Sequence, residues 1–285
     1  MLEIKNSRVY AIAESIIASG YPMLQEELSE REFELQTIIL NSVLSLISEH
    51  TYKEIADKIN SDEFLKNIVK KLKIDNLEGF ISKSIKRICN LGNVATGTGH
   101  DNFAKGILVQ FDVKYPGYWT PQFQRYHFAD IVSSMSKMHR LVKMDTNKCF
   151  NKYVDKSVID NLNYWIKIYN KMEKDDNYCY LEKEIPGSSR VAEIGESNPI
   201  LIESFINKGW TIKNRLNKYE VYMKVISNCP MGFEMTMRVT TSYLQLKTIY
   251  LQRKHHKLKE DWTAFCTWCE SLPLFKEICL TKKPS

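Results

Sequence analysis

Ile107-Leu-Val-Gln-Phe-Asp-Val-Lys-Tyr115, closed by Pro116-Gly117, carries the clearest strand signal of the chain. Ile107, Val109, Phe111, Val113 and Tyr115 alternate with Leu108, Gln110, Asp112 and Lys114, the period of a strand with one apolar and one mostly polar face. Pro121 suits the first turn of a helix, and the spacing predicts that helix to about Lys143. The same grammar recurs downstream. Phe233, Met235, Met237 and Val239 alternate with Glu234, Thr236, Arg238 and Thr240, and a helix over Ser242–Lys254 follows. Between the two units the pattern predicts helices near Ser157–Glu173, Pro199–Lys208 and Lys213–Asn228, with Glu184–Asn198 irregular. A last helix is expected over Lys259–Ser271.

Upstream, the first 92 residues carry helix signals and almost no strand signals. Arg8–Ser19 reads as an amphipathic helix stopped by Gly20 and Pro22. Ser29-Glu-Arg-Glu32 and Thr51-Tyr-Lys-Glu54 are capping boxes, each opening a helix, and two more helices are expected near Asp62–Lys73 and Asn76–Asn90. The expectation is an α+β fold: a small, mainly antiparallel central sheet flanked by helices, with residues 1–92 as a helical N-terminal layer and 93–285 as the α+β core.

The chain has 285 residues, 44% of them hydrophobic and 26% charged, which excludes a disordered or fibrous protein. Of the net charge of +6, residues 205–285 contribute 14 basic and 6 acidic side chains, so the positive field lies on the C-terminal segment, where it suits phosphates, nucleic acid or an acidic partner. The seven cysteines are odd in number and scattered, and read as reduced thiols. No signal-peptide pattern opens the chain, and its longest uncharged apolar-rich run, Thr37–Ser48, is too short to cross a bilayer. A cytoplasmic protein without membrane partners is expected.

Several residues are candidates for chemistry. On the helix expected after Pro121, Arg125, Ala129, Ser133, Ser136 and Arg140 share one stripe, and two guanidinium forks separated by small residues suit an anionic or planar ligand; an ordinary solvated face is the alternative. Arg253 continues an apolar stripe with Leu246, Ile249 and Tyr250, so it is either an internal ion-pair member or a ligand contact. Arg253-Lys-His-His-Lys-Leu-Lys259 is a short basic cluster without a recognised nucleic-acid-reading motif. Cys266-Thr-Trp-Cys269 lacks the second ligand pair of a zinc site and falls on an apolar helix face, so no metal is expected. Thr51–Asn60 resembles the start of a helix-turn-helix, but the next helix sets its apolar residues out of register. Gly92-Asn-Val-Ala-Thr-Gly97-Thr-Gly99-His100 is the most glycine-dense stretch, a boundary or an active loop, with His100 as a catalytic, ligand-binding or capping histidine.

Taken in order, these elements resemble the flavin-dependent thymidylate synthases over about residues 92–272. Gly99-His100 precedes the strand, Gln122-Phe-Gln-Arg125-Tyr-His127 stands where that family has Q-x-x-R-H-R, and Arg253 stands at the place of its uracil-contacting arginine. The resemblance implies a nucleotide-binding-like core, FAD as cofactor and dUMP or another phosphate-bearing ligand. It implies a tetramer with sites shared between subunits. Arg125, Arg140 and Arg253 would hold phosphate or the pyrimidine ring, Ser133 or Ser136 would orient the ligand, and His100, His127 or His139 would transfer protons. This chain departs from the pattern at Tyr126 and His127, which replace His-Arg, at Ser242 and Leu244, where the family contacts flavin, and at Lys105, which replaces a histidine. Either another nucleotide occupies a reshaped site, or the fold persists without the chemistry. The chain also resembles phage proteins, which would set it in a host cytoplasm. The departures from the signature, the added helical N-terminal layer and the basic C-terminal segment carry the alternative expectation, a non-enzymatic counter-defence protein that binds and blocks a host anti-phage complex, such as a Gabija-type nuclease.

Overall fold

The computed structural model of the chain describes residues 2–95, 97–186 and 188–280. In chain order its elements are β1 (Glu3–Tyr10), α1 (Ile12–Ala18), α2 (Glu30–Leu46), α3 (Tyr52–Ser61), α4 (Glu63–Lys71), α5 (Leu77–Gly92), β2 (Leu108–Pro116), α6 (Thr120–Phe123), β3 (Asp130–Ser134), α7 (Lys137–Arg140), α8 (Lys156–Lys171), β4 (Asn177–Glu184), β5 (Val191–Glu196), α9 (Pro199–Asn207), β6 (Thr211–Asn217), α10 (Lys218–Ser227), β7 (Glu234–Ser242), α11 (Tyr243–Arg253), α12 (Lys259–Glu270) and α13 (Phe275–Cys279). The strands form two sheets, β1-β2-β7-β3 and β5-β4-β6. Both are antiparallel and flanked by helices, an α+β fold.

The alternation in β2 buries Val109, Phe111 and Val113 fully and leaves Gln110, Asp112 and Lys114 half-buried. Its neighbour β7 follows the same rule, with Met237 and Val239 buried. Both expected capping boxes form. Ser29 Oγ accepts from the Glu32 amide while the Glu32 carboxylate accepts from Ser29 N–H, and Thr51 and Glu54 repeat the exchange.

Four expectations are corrected. The run from Arg8 does not begin as helix: Glu3–Tyr10 is an edge strand on β2, and Ala11, at φ 60°, turns the chain into α1. The strand is mostly exposed and carries an irregularity between Lys5 and Arg8, where Asn6 lies at φ 50°, so local alternation does not betray it. The helix expected from Pro121 to Lys143 is instead α6, β3 and α7. Ile131-Val132 favours extended backbone, and β7 supplies the partner strand; just beyond β3, Met135 N–H donates to Thr236 O. The helix expected from Lys213 starts only at Lys218, capped by Asn217 and Glu220, because Thr211–Asn217 pairs with β4 as β6. Within Glu184–Asn198, read as irregular, lies β5.

The chain divides into two compact units. The first comprises Met1–Lys114, Phe123–Ser133 and Met237–Ser285. Buried in it, beside the inner face of β2 and β7, are Ile39 and Leu40 of α2, Ile55 and Ile59 of α3, Ile81, Ile85 and Ile88 of α5, and Trp262, Phe265 and Cys269 of α12. Phe111 meets Phe265 edge-on at 6.3 Å and Trp268 at 4.3 Å between ring centroids. The second unit comprises Tyr115–Gln122 and Ser134–Thr236. There Leu162, Trp165, Tyr178, Val221 and Val225 form the centre of a core built by α8, α10 and β4. Gly195 of β5 is required beneath Tyr178, since a Cβ there would fall 1.6 Å from the Tyr178 hydroxyl. Among the described residues, no helix is long and apolar enough to cross a membrane.

Candidate functional site

The glycine-dense loop after α5 becomes one wall of a cavity. Gly97 and Gly99 sit at φ 94° and 84°, left-handed backbone that only glycine adopts without strain. What fixes the loop is a side chain from elsewhere. Lys247, in the first half of α11, is almost fully buried and spends its three ammonium hydrogens on Gly92 O at 2.8 Å, Val94 O at 3.0 Å and the equally buried Asp101 Oδ2 at 2.9 Å. A buried ammonium is tolerable only when paired and saturated in this way. One residue thus pins both flanks of the Gly97–Gly99 turn to α11.

The cavity has a volume of about 660 Å³, within the range of small-ligand sites. Its loop side is formed by Gly97, Gly99, Asp101, Asn102 and Lys105, and its opposite side by Thr240, Thr241, Ser242, Leu244, Gln245 and Thr248. Leu108, Phe128 and Asp130 complete it. Ser242 caps α11, its Oγ accepting from Gln245 N–H at 3.4 Å, while Tyr243 N–H is taken by Ile107 O at 3.0 Å. Leu244 N–H, in the first turn of α11, has no carbonyl within the helix to accept it, so this helix start brings a first-turn amide to the cavity. Phe128 is 75% exposed on the rim, and its carbonyl accepts from Thr241 Oγ1 at 2.9 Å, which fixes the backbone carrying the ring. With Asp101 neutralised by Lys247, the remaining charges among the described residues of the lining are Lys105 and Asp130. The arrangement offers a cation, backbone and amide donors, an aromatic face and one carboxylate acceptor.

The residues singled out in the sequence are distributed differently. His100 is exposed at the end of the glycine loop, next to the lining residue Gly99. Arg125 and His127 are exposed in the turn between α6 and β3, and Ser133 is exposed on β3. In the second unit, Ser136 is the N-cap of α7, accepting from His139 N–H, and His139 and Arg140 are exposed on that short helix. The single stripe expected for Arg125, Ser133, Ser136 and Arg140 does not form, because the stretch is not one helix. Arg253 ends α11, donating from Nε to Tyr126 Oη at 2.7 Å, with its guanidinium 4.8 Å from the Trp262 ring centroid and 5.4 Å from that of Tyr126. Trp262, Phe265, Cys266 and Cys269 are buried on one face of α12, and burial pushes the Cys266 thiol up to about 11. Among the described residues no group of three or more His, Cys, Asp or Glu side chains could hold a metal ion.

Lys105, Ser242 and Leu244, which stand out in the sequence only as departures from a family pattern, all line the cavity. Lys247 and Phe128 escaped sequence reasoning. The signal for Lys247 was a lysine four residues after Tyr243 and beside Leu246, on the buried side of α11; for Phe128 there was none, since its role depends on where β3 pairs.

No family model matches the chain, and no curated protein matches it significantly. Among solved structures, the chain is similar to a flavin-dependent thymidylate synthase from Helicobacter pylori complexed with FAD and dUMP, at 11% identity and TM-score 0.41 over 76% of this chain and 90% of that one. A second structure of the Helicobacter pylori enzyme with FAD and dUMP is similar at 12% identity and TM-score 0.37, over 70% of this chain and 82% of that one.

Proposed function

We propose that the cavity between the Gly97–Lys105 loop and the start of α11 binds a mononucleotide. The observation that carries this reading is the composition of the two walls: Lys105 and the Leu244 amide in the first turn of α11 offer positive charge and an N–H donor for one phosphate. Phe128 supplies a face for a planar base. Asp130 can accept from sugar hydroxyls, and Asn102 and Gln245 can read the edge of a ring through their amides. Pinning of the loop by Lys247 means that little ordering is left to be done on binding.

The donor set discriminates among ligands. Lys105 is the single cation of the described lining that is not already paired inside it, which suits one phosphate better than the pyrophosphate of FAD. A nucleoside or flavin monophosphate is therefore the ligand proposed, with dUMP and FMN as probes and FAD as the contrast. If chemistry follows binding, His100, adjacent in sequence to Gly99, is the candidate for proton transfer.

Isothermal titration of the purified chain with dUMP, FMN and FAD tests the reading. Lys105→Gln is expected to weaken the monophosphate by roughly tenfold, the loss of one charge-assisted hydrogen bond, and Phe128→Ala by a similar factor through lost stacking. A chain that takes up none of the three, and whose melting temperature none of them moves, overturns it.

A further inference from the structure

A second concavity, of about 230 Å³, lies at the other end of α11, lined by Arg253, Lys254, His255, His256, Lys259 and Trp262. The 11 residues of α11 separate it from the start of that helix by about 16 Å, at 1.5 Å per residue. Among the described residues no carboxylate lines it. From this geometry we infer that the 253–259 corner is a separate binding site for a single phosphate group of a small molecule, independent of the nucleotide cavity.

Three observations support the assignment. First, Arg253 is held before any ligand arrives. Its guanidinium carbon lies over the buried Trp262 ring, 4.8 Å from its centroid, and its Nε donates to Tyr126 Oη, which in turn donates to Gln252 Oε1 at 3.1 Å. A side chain immobilised by its own protein loses little entropy on binding an anion. Second, His256 presents a defined tautomer. Its Nδ1 accepts from Leu258 N–H at 3.1 Å, so the ring proton lies on Nε2 as a donor. Third, Lys254, His255 and Lys259 are exposed around the same small volume, so their charges converge instead of spreading. A nucleic-acid footprint needs cations along a track of successive phosphates, whereas this cluster closes on space for one.

The test is titration of the full chain with inorganic phosphate, read by calorimetry and by the imidazole resonances of His255 and His256. One equivalent is expected to bind and to move both imidazoles. The exposed pair Lys254→Gln/Lys259→Gln, with folding checked by circular dichroism, should weaken binding about tenfold, and Lys105→Gln should leave it unchanged. Absence of saturable binding, imidazoles that do not move, or an affinity insensitive to the double variant overturns the site. A single-stranded oligonucleotide that binds more tightly as it lengthens, with a steep salt dependence, overturns the small-molecule assignment in favour of nucleic-acid contact.

Discussion

Lys247→Met is the substitution with the largest expected consequence outside the apolar core. Methionine fills the volume of the lysine stem but removes the ammonium, leaving the Asp101 carboxylate, 2% exposed, without its cation and Gly92 O without its donor. Breaking a buried pair by removing one partner costs about 3–5 kcal/mol, and an orphaned buried carbonyl adds about 1 kcal/mol. Val94 O lies in a less buried position and can turn to water, so it adds little. The sum, about 4–6 kcal/mol, is a large part of the 5–15 kcal/mol by which domains are usually stable. Urea unfolding followed by circular dichroism measures it. The decisive comparison is the cycle with Asp101→Asn. Once the carboxylate is neutral, Lys247→Met no longer strands a charge, so the double variant should be more stable than the sum of the single losses predicts by about 2 kcal/mol or more. If Lys247→Met costs less than about 1 kcal/mol, or if the two losses add to within about 0.5 kcal/mol, the pair does not hold the loop and the reasoning fails.

Other consequences are open to simple measurement. Gly92→Ala would set a Cβ 2.3 Å from the backbone oxygen of Ile278, a contact that only displacement of α13 relieves; a loss of roughly 1–3 kcal/mol is expected in urea unfolding, and an unchanged midpoint would contradict the packing. His256 has a pKa below its ordinary value of 6.5, through burial and then through Arg253 and Lys257. The unfolded chain therefore takes up the proton first, and the stability His256 contributes is present above about pH 6.5 and lost as pH falls through it. Melting curves from pH 8 to pH 5 should show this loss, and His256→Gln should reduce it. Burial pushes the Cys266 thiol up to about 11 and that of Cys279 to about 12, so both should resist alkylation at neutral pH until the chain unfolds, as mass spectrometry of iodoacetamide-treated protein would report.

How much of this was legible beforehand depends on the range of the interaction concerned. Ser29 with Glu32, and Thr51 with Glu54, satisfy helix amides three residues away, so their chemistry is complete within a tetrapeptide and reads directly from it. The alternations in β2 and β7 are equally plain, because each strand turns a largely buried face to the core, with Val109, Phe111 and Val113 on β2 and Met237 and Val239 on β7. The stretch from Pro121 to Lys143 misled for the opposite reason. Its residues recur at helical spacing, yet Asp130–Ser134 gains more by completing a ladder on β7, more than one hundred residues away, than by continuing a helix. Much the same holds for β1, whose polar sequence becomes a strand only because β2 offers it an edge, and for β6, drawn out of an expected helix by β4.

The α+β class, the start of almost every long helix, the two alternating strands and the glycine-dense loop before the first of them were legible in the sequence, since each leaves its mark within a few residues. The site, by contrast, exists only in the folded chain. Lys105, Phe128, Ser242 and Gln245 line one cavity, and Lys247 locks its loop, because strands and helices distant in sequence pair around them. A lysine is an exposed charge or a buried anchor according to whether Asp101 and two carbonyls meet it, and no local pattern records that meeting.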